Sequence, residues 1–192
     1  EAAFLPVLTR LWENPSASVG VLYLSPLKAL INDQFERLEG LLEEAAIPVT
    51  KWHGDASAAA KKRVMKRPQG IIQTTPESLE SMLMHNSSGA YRLFSDLRFI
   101  IIDEMHYFMD NDRGLQLLCL LERLARLIGY HPRRIGLSAT LGDCTSAVQW
   151  LNTDSGRNCI VPKCHEKGRS LRLSVRFFPI KEKIPNSDSK VL

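Results

Sequence analysis

The stretch Phe99-Ile100-Ile101-Ile102-Asp103-Glu104-Met105-His106 decides the fold. An unbroken apolar, largely β-branched run reads as a strand buried on both faces. Two adjacent carboxylates end it. Successive side chains on a strand point to opposite sides. As the chain leaves the strand, one carboxylate can face a metal and the other a nearby water. Hydrolytic phosphoryl transfer needs both groups. One acid holds Mg²⁺ beside the β- and γ-phosphates, and a second orients or deprotonates the attacking water. Asp103 suits the first task and Glu104 the second. The competing explanation is an acidic pair that merely caps the next turn, and a pattern this short does not decide between them.

Working outward, Ser138-Ala139-Thr140 follows the next expected strand, over 134–137. If the strands are parallel, this tripeptide lies at the same sheet edge as Asp103. Small hydroxyl residues there could hydrogen-bond the acidic site and transmit its state. A plain polar strand end explains the tripeptide equally well when it is taken alone.

The rest of the chain repeats the same alternation. Helical spacing runs over 2–12, 26–46, 57–66, 76–84, 114–128 and 143–151. Short apolar runs over 19–24, 47–52, 70–74, 98–103 and 134–137 read as strands. Asn86-Ser87-Ser88-Gly89 reads as an exposed loop. Most strands are continuous apolar runs, so the expected fold is α/β, with a mostly parallel sheet and helices on both faces. Right-handed crossovers then bring every strand's C-terminal end to one edge, where ligands bind in such folds. Residues 1–165 are expected to form one domain. Residues 166–192 are expected to hold a terminal strand, over 171–178, and a linker.

Two further segments follow strands. Thr75-Pro76-Glu77-Ser78 offers a hydroxyl cap, Pro at the first helical position and an acid in the first turn. That cap is a sufficient structural explanation. The functional alternative is that free N–H groups at the helix start hold a backbone phosphate of a nucleic-acid strand. Ser25-Pro26-Leu27-Lys28 repeats the design, and two such starts could contact successive phosphates. Trp52-His53-Gly54-Asp55 closes another strand. Gly54 permits a tight turn or close backbone approach, and His53 reads as a turn residue rather than a ligand. Lys61-Lys62-Arg63 and Lys66-Arg67 form a basic helix face, solvated by default or in contact with nucleic-acid backbone. Arg133-Arg134 precede a strand at the opposite edge and read as structural or solvated.

Bulk properties are compatible with this and exclude little. The 192 residues are 44% hydrophobic and 24% charged, an ordinary globular composition that argues against general disorder. A net charge of +4 permits a polyanionic partner without demanding one. No apolar run approaches the roughly 20 residues that span a bilayer, so no membrane partner is expected. Cys119, Cys144, Cys159 and Cys164 form no Cys-x-x-Cys pair. Cys159, Cys164 and His165 lack a fourth metal ligand at suitable spacing. Reduced, partly buried thiols and a cytoplasmic location are expected. Glu1-Ala2-Ala3-Phe4-Leu5 has no basic signal segment and no initiator Met, and reads as an edge cut within a helix.

Taken together, Ser-Pro-Leu-Lys-Ala-Leu at 25–30, Thr-Thr-Pro-Glu-Ser-Leu at 74–79, Asp-Glu-Met-His at 103–106 and Ser-Ala-Thr at 138–140 resemble motifs Ia, Ib, II and III of superfamily 2 helicases. Order and approximate spacing agree. Within that superfamily the Lhr-type (large helicase-related) DExH group is the most similar, through 24–34, Trp52-His53-Gly54-Asp55 and 133–143. The resemblance covers roughly residues 1–152. It implies a RecA-like P-loop NTPase fold and an ATP-dependent motor that moves along a nucleic-acid strand and opens duplexes. It implies ATP and Mg²⁺ as cofactors, with Asp103 on the metal and Glu104 on the hydrolytic water. His106 and Ser138 to Thr140 would couple nucleotide state to the strand. Ser25, Pro26, Lys28, Gly54, Thr75, Pro76 and Ser78 would lie along that strand. Arg113-Gly114 also resembles the group, with no role assigned.

The partner implied is DNA or RNA, as a single strand or a duplex with a single-stranded tail. A second RecA-like domain of the same full-length chain is also implied. The 192 residues contain no Gly-x-x-x-x-Gly-Lys-[Ser/Thr] phosphate loop. The resemblance places that loop directly before Glu1. Two alternatives remain open here: a duplex translocase or remodelling ATPase of the same superfamily, and a catalytically inactive nucleic-acid-binding domain.

Overall fold

The computed structural model describes residues 3–43, 45–141 and 144–162. The expected strand over 171–178, the linker, Cys164, His165 and the 165/166 boundary lie outside the described residues.

The strand β1 (Val19–Leu24) is buried along its whole length, as a central strand covered on both faces must be. It pairs in parallel with β3 (Gly70–Thr74) on one side and β4 (Phe99–Ile102) on the other. β2 (Val49–Trp52) extends the sheet beyond β3, and β5 (Arg133–Gly136) extends it beyond β4. The order is β2-β3-β1-β4-β5, with every pairing parallel. This is the expected α/β architecture.

Side-chain alternation along β1 divides the core. Val21 and Tyr23 face one side with Ile71 and Ile101, under α1 (Phe4–Glu13) and α2 (Lys28–Glu43). Leu22 and Leu24 face the other with Ile72, Ile100 and Ile102. That side is covered by α3 (Ala58–Lys66), α4 (Pro76–His85), α5 (Ser87–Phe94), α6 (Asp112–Ile128) and α7 (Cys144–Asn152). Leu117, Leu120, Leu121, Leu124 and Ile128 form the buried stripe of α6, at the three- and four-residue spacing that places side chains on one helix face.

Register does the positioning. Leu24 lies opposite Thr74 and Ile102, Thr74 opposite Trp52, and Ile102 opposite Gly136. One residue further on, His53, Thr75, Ser25, Asp103 and Leu137 therefore stand in a row along the C-terminal edge. The ladder continues into that row through Ser25 N–H to Thr74 O (3.1 Å), Asp103 N–H to Leu24 O (2.8 Å) and Met105 N–H to Leu137 O (2.8 Å).

The structure corrects the reading in three places. Asn86 to Gly89 is not a loop. The Asn86 side chain caps α5 by accepting from Gly89 N–H at 3.0 Å, a cap chemistry that Asn shares with Ser and Asp. Helix α2 is shorter than 26–46, and its first residue is Lys28. Leu27, within the expected span, is exposed and precedes the helix. Cys119 and Cys144 are exposed rather than partly buried, and Cys159 is half-buried. Arg133 and Arg134 are as expected: Arg133 is exposed, and Arg134 is structural, donating to Thr153 O (2.7 Å) and Leu151 O (3.4 Å).

Candidate functional site

Asp103 leaves β4 with both carboxylate oxygens engaged. Oδ1 accepts from Glu104 N–H at 3.0 Å, and Oδ2 accepts from the Tyr23 hydroxyl. Tyr23 stands on the central strand with its ring against Phe4. Burial first, and then the Asp103 carboxylate, push the Tyr23 phenol far above its usual range, so it remains a donor. Tyr23 thus aims Asp103 across 80 residues of sequence. Sequence reasoning missed it, because an aromatic residue in an apolar strand reads as core.

Glu104 follows in the left-handed conformation, with φ 48° and ψ 46°. That region is costly for a residue with a side chain and concentrates at functional sites. It ends β4 and opens a single 3-10 turn, Met105–Tyr107. Glu104 Oε2 is buried without a hydrogen-bond partner, 3.3 Å from His106 Nδ1. An orphaned buried acceptor of this kind is where a water or a cation's hydration shell belongs.

The same Nδ1 of His106 meets Ser138 Oγ at 2.9 Å. Ser138 in turn donates to Thr140 O at 3.4 Å, while the Thr140 side chain is exposed. Asp103, Glu104, His106 and Ser138 therefore form a contiguous group. Thr140 adjoins it through its backbone.

Beside this group, at the ends of β1, β2 and β3, lies an open cleft of about 540 Å³. Its lining includes Lys28, His53, Gly54, Lys61, Thr75 and Ser78. Thr75 caps α4 as expected, accepting from Ser78 N–H at 3.4 Å, with Pro76 at the helix start. Lys28 pairs with Asp55 at 2.9 Å, and that contact holds the Asp55 carboxyl below its usual range. Lys61 Nζ donates to His53 O at 2.6 Å, over the Trp52 ring.

Three details of the cleft depart from expectation. Ser25 does not cap α2. It is fully buried, and its hydroxyl lies beside Tyr23 rather than at a helix start. Pro26 is likewise buried, two residues before α2 begins. Gly54 needs no special backbone, since an added Cβ would meet Lys28 Nζ at an ordinary 3.6 Å. What the glycine provides is open space. His53 is buried with neither ring nitrogen hydrogen-bonded, and burial holds its pKa below the usual value.

Arg113, left without a role, joins the cleft to the acidic loop. It bonds Glu77 and Pro26 O and lies over the Phe108 ring. Among the described residues, no cluster of three or more His, Cys, Asp or Glu forms a metal cage. The two adjacent carboxylates instead fit Mg²⁺, which is commonly held by one or two acids plus substrate phosphates.

A parallel sheet with an acidic pair and a hydroxyl-capped helix start at its C-terminal edge is the arrangement of an α/β ligand-binding domain. The profile of the DEAD/DEAH box helicase family matches residues 1–147, and the chain belongs to that family. Within it, the chain is similar to the Lhr type. It is 37% identical over 153 residues to the ATP-dependent helicase Lhr-Core of Methanocaldococcus jannaschii, an alignment covering 73% of this chain and 18% of that protein. The structure of the Mycobacterium smegmatis helicase Lhr bound to ssDNA and AMP-PNP superposes with a TM-score of 0.69 at 31% identity. That match covers 84% of this chain and 22% of the other. The DEAD-box helicase Mss116 bound to ssRNA, 19% identical with a TM-score of 0.69, shares the fold. The chain spans about a fifth of the length of the first two curated relatives it matches. No described helix is long and apolar enough to cross a membrane.

Proposed function

We propose that these residues form part of an ATP-driven motor that moves along a DNA or RNA strand and separates duplexes. The observation that carries this is the continuous contact from Asp103 and Glu104 through His106 to Ser138, at the sheet edge that also carries the strand cleft. Asp103, held by Tyr23, would hold the Mg²⁺ of Mg-ATP, which when bound would neutralise charge on the phosphates. Glu104 orients and deprotonates the attacking water. His106, Ser138 and Thr140 connect that state to the cleft. Lys28, Gly54, Thr75 and Ser78 line the path of one strand, through backbone contacts that carry no base sequence. Ser25 and Pro26 are buried, with the Ser25 N–H and the Pro26 carbonyl already engaged, and serve the path by fixing the segment that presents Lys28. The phosphate loop and the second RecA-like domain complete the ATP site. The Mycobacterium smegmatis relative, solved with ssDNA and AMP-PNP, supports both ligands.

The test uses the full-length protein. Glu104→Gln keeps Mg-ATP affinity within about threefold and lowers turnover by roughly a hundredfold or more, since the amide cannot take up the proton. Asp103→Asn weakens Mg²⁺-dependent nucleotide binding as well. Nucleotide affinity, ATPase rate and strand displacement are measured for each. Near-normal turnover in Glu104→Gln removes Glu104 from its role. ATPase activity without strand displacement on tailed duplexes favours a duplex translocase or remodelling ATPase of the same superfamily.

A further inference from the structure

Arg113 touches three separate parts of the molecule. Its Nε donates to Glu77 Oε1 at 2.9 Å, and its Nη2 lies 2.7 Å from the same oxygen. Nη2 also donates to Pro26 O at 2.7 Å. The guanidinium carbon stands 5.4 Å from the centroid of the Phe108 ring, which is fully buried. Pro26 lies in the segment that enters α2. Glu77 lies in the first turn of α4. Phe108 ends the 3-10 turn that follows Asp103 and Glu104.

The base of this side chain is fixed. Asn111 Oδ1 accepts from Gly114 N–H at 3.0 Å, and its Nδ2 donates to Tyr107 O (2.9 Å) and Met109 O (3.0 Å). Gly114 presses directly on the Phe108 carbonyl, where a Cβ would overlap the oxygen. Loop 105–111 and the start of α6 therefore form one block, and Arg113 reaches out of it. Burial pushes the Glu77 carboxyl up, but its own backbone N–H, Thr75 and Arg113 outweigh that and hold it below its usual range. The pair is too exposed, at 34% and 54%, to count for much in stability. What a planar fork of donors provides at such a junction is geometry.

We propose that Arg113 is a positioning residue that holds the two strand-path helix entries in register with the loop bearing Asp103 and Glu104, so that strand binding is felt at the acidic pair. The inference rests on the function proposed above.

The experiment follows ATP hydrolysis by the full-length protein as a single-stranded oligonucleotide is titrated in. Arg113→Ala raises the half-saturating oligonucleotide concentration by about fivefold or more, the lower end of ordinary site-to-site coupling. It also lowers the maximal stimulation. Affinity for a fluorescent ATP analogue and the rate without oligonucleotide stay within about twofold of wild type, which loss of packing alone would not produce. Arg113→Lys recovers only part, because an ammonium lacks the second nitrogen that meets Glu77 and the planar group that lies over Phe108. Wild-type titration curves for Arg113→Ala, or full recovery with Lys, overturn the proposal. If Arg113→Ala does not fold, Glu77→Gln removes one arm without touching α6 and must shift the titration in the same direction. A wild-type curve for that variant overturns the proposal too. A wild-type protein that no oligonucleotide stimulates would instead overturn the motor reading, and this inference with it.

Discussion

The acidic centre and the proposed strand cleft share one sheet edge but are assembled differently. The acidic centre is made of side chains that meet across long separations: Tyr23 with Asp103 over 80 residues, His106 with Ser138 over 32. The cleft is made mainly of local pieces. Thr75 bonds Ser78 three residues on, and Lys61 bonds the carbonyl of His53 eight residues back. A site with distant partners depends on the whole sheet and responds cooperatively when one part is disturbed. A site of local caps can lose a member and keep the rest. The exceptions in the second region are Lys28, which meets Asp55 over 27 residues, and Arg113, which reaches Glu77 and Pro26 across 36 and 87.

If this contrast holds, the largest effect on stability comes from the block behind the acidic loop. Gly114→Ala forces a Cβ onto the Phe108 carbonyl. Backbone cannot retreat as a flexible side chain can, so the cost reaches the upper end of overpacking, about 3 kcal/mol. For a domain of this size that is roughly 6–12 °C in melting temperature. Thermal unfolding of the full-length variant checks it. A loss under about 2 °C would show that the loop is softer than the contrast requires.

A smaller effect is expected at the bridge between His106 and Ser138. One hydrogen bond is worth about 1 kcal/mol net, or roughly fivefold in a coupled rate. His106→Ala and Ser138→Ala should each lower the duplex opened per ATP hydrolysed by about that factor, and the double variant no further. Multiplying effects in the double variant would mean that the two residues act independently, and the cooperative description of the acidic centre would fail.

The same contrast explains what the sequence made legible. Parallel strands buried on both faces announce themselves as apolar runs, and the five strands lie where 19–24, 47–52, 70–74, 98–103 and 134–137 placed them, within two residues at each end. The α4 cap was legible because Thr75, Pro76 and Ser78 are neighbours in the chain. Ser25 was misread by the same local logic. It has the same signature of a hydroxyl residue before Pro, but its position in the edge row buries it beside Tyr23. Nothing local distinguishes the two. Tyr23 was invisible as a site residue, and Arg113 stood out only by resemblance and without a role, because their partners are set by strand order and helix packing. Asp103 and Glu104 stood out as residues, yet the Tyr23 donor and the left-handed turn that orient them belong to tertiary structure. The helix after Asn86 was missed because Ser-Ser-Gly reads as a loop unless the Asn is recognised as a cap.

The weakest expected effect probes the cleft through its buried histidine. His53 has neither ring nitrogen hydrogen-bonded, and burial lowers its pKa despite the pull of Asp55. A lowered folded-state pKa means that the unfolded chain takes up this proton first as the pH falls. His53 therefore contributes no pH-dependent loss above about pH 6.5, its ordinary value. As the pH drops through that value towards the folded-state pKa, the unfolded chain binds more protons and stability declines. His53→Phe fills the same wall without a titrating group. Its melting temperature should fall less than that of wild type between pH 7.5 and pH 5.5, while its melting temperature at pH 7.5 changes little. Melting both proteins across this range gives the difference directly, because the effects of the other titrating groups are common to both. Because Lys61 bonds the His53 carbonyl rather than its ring, the strand cleft should keep its backbone geometry in the variant. Oligonucleotide affinity at pH 7.5 should then match wild type. If instead the variant and the wild type lose stability in parallel, His53 is protonated as easily in the folded protein as in the unfolded chain. The cleft wall would then be more open to water than its packing shows.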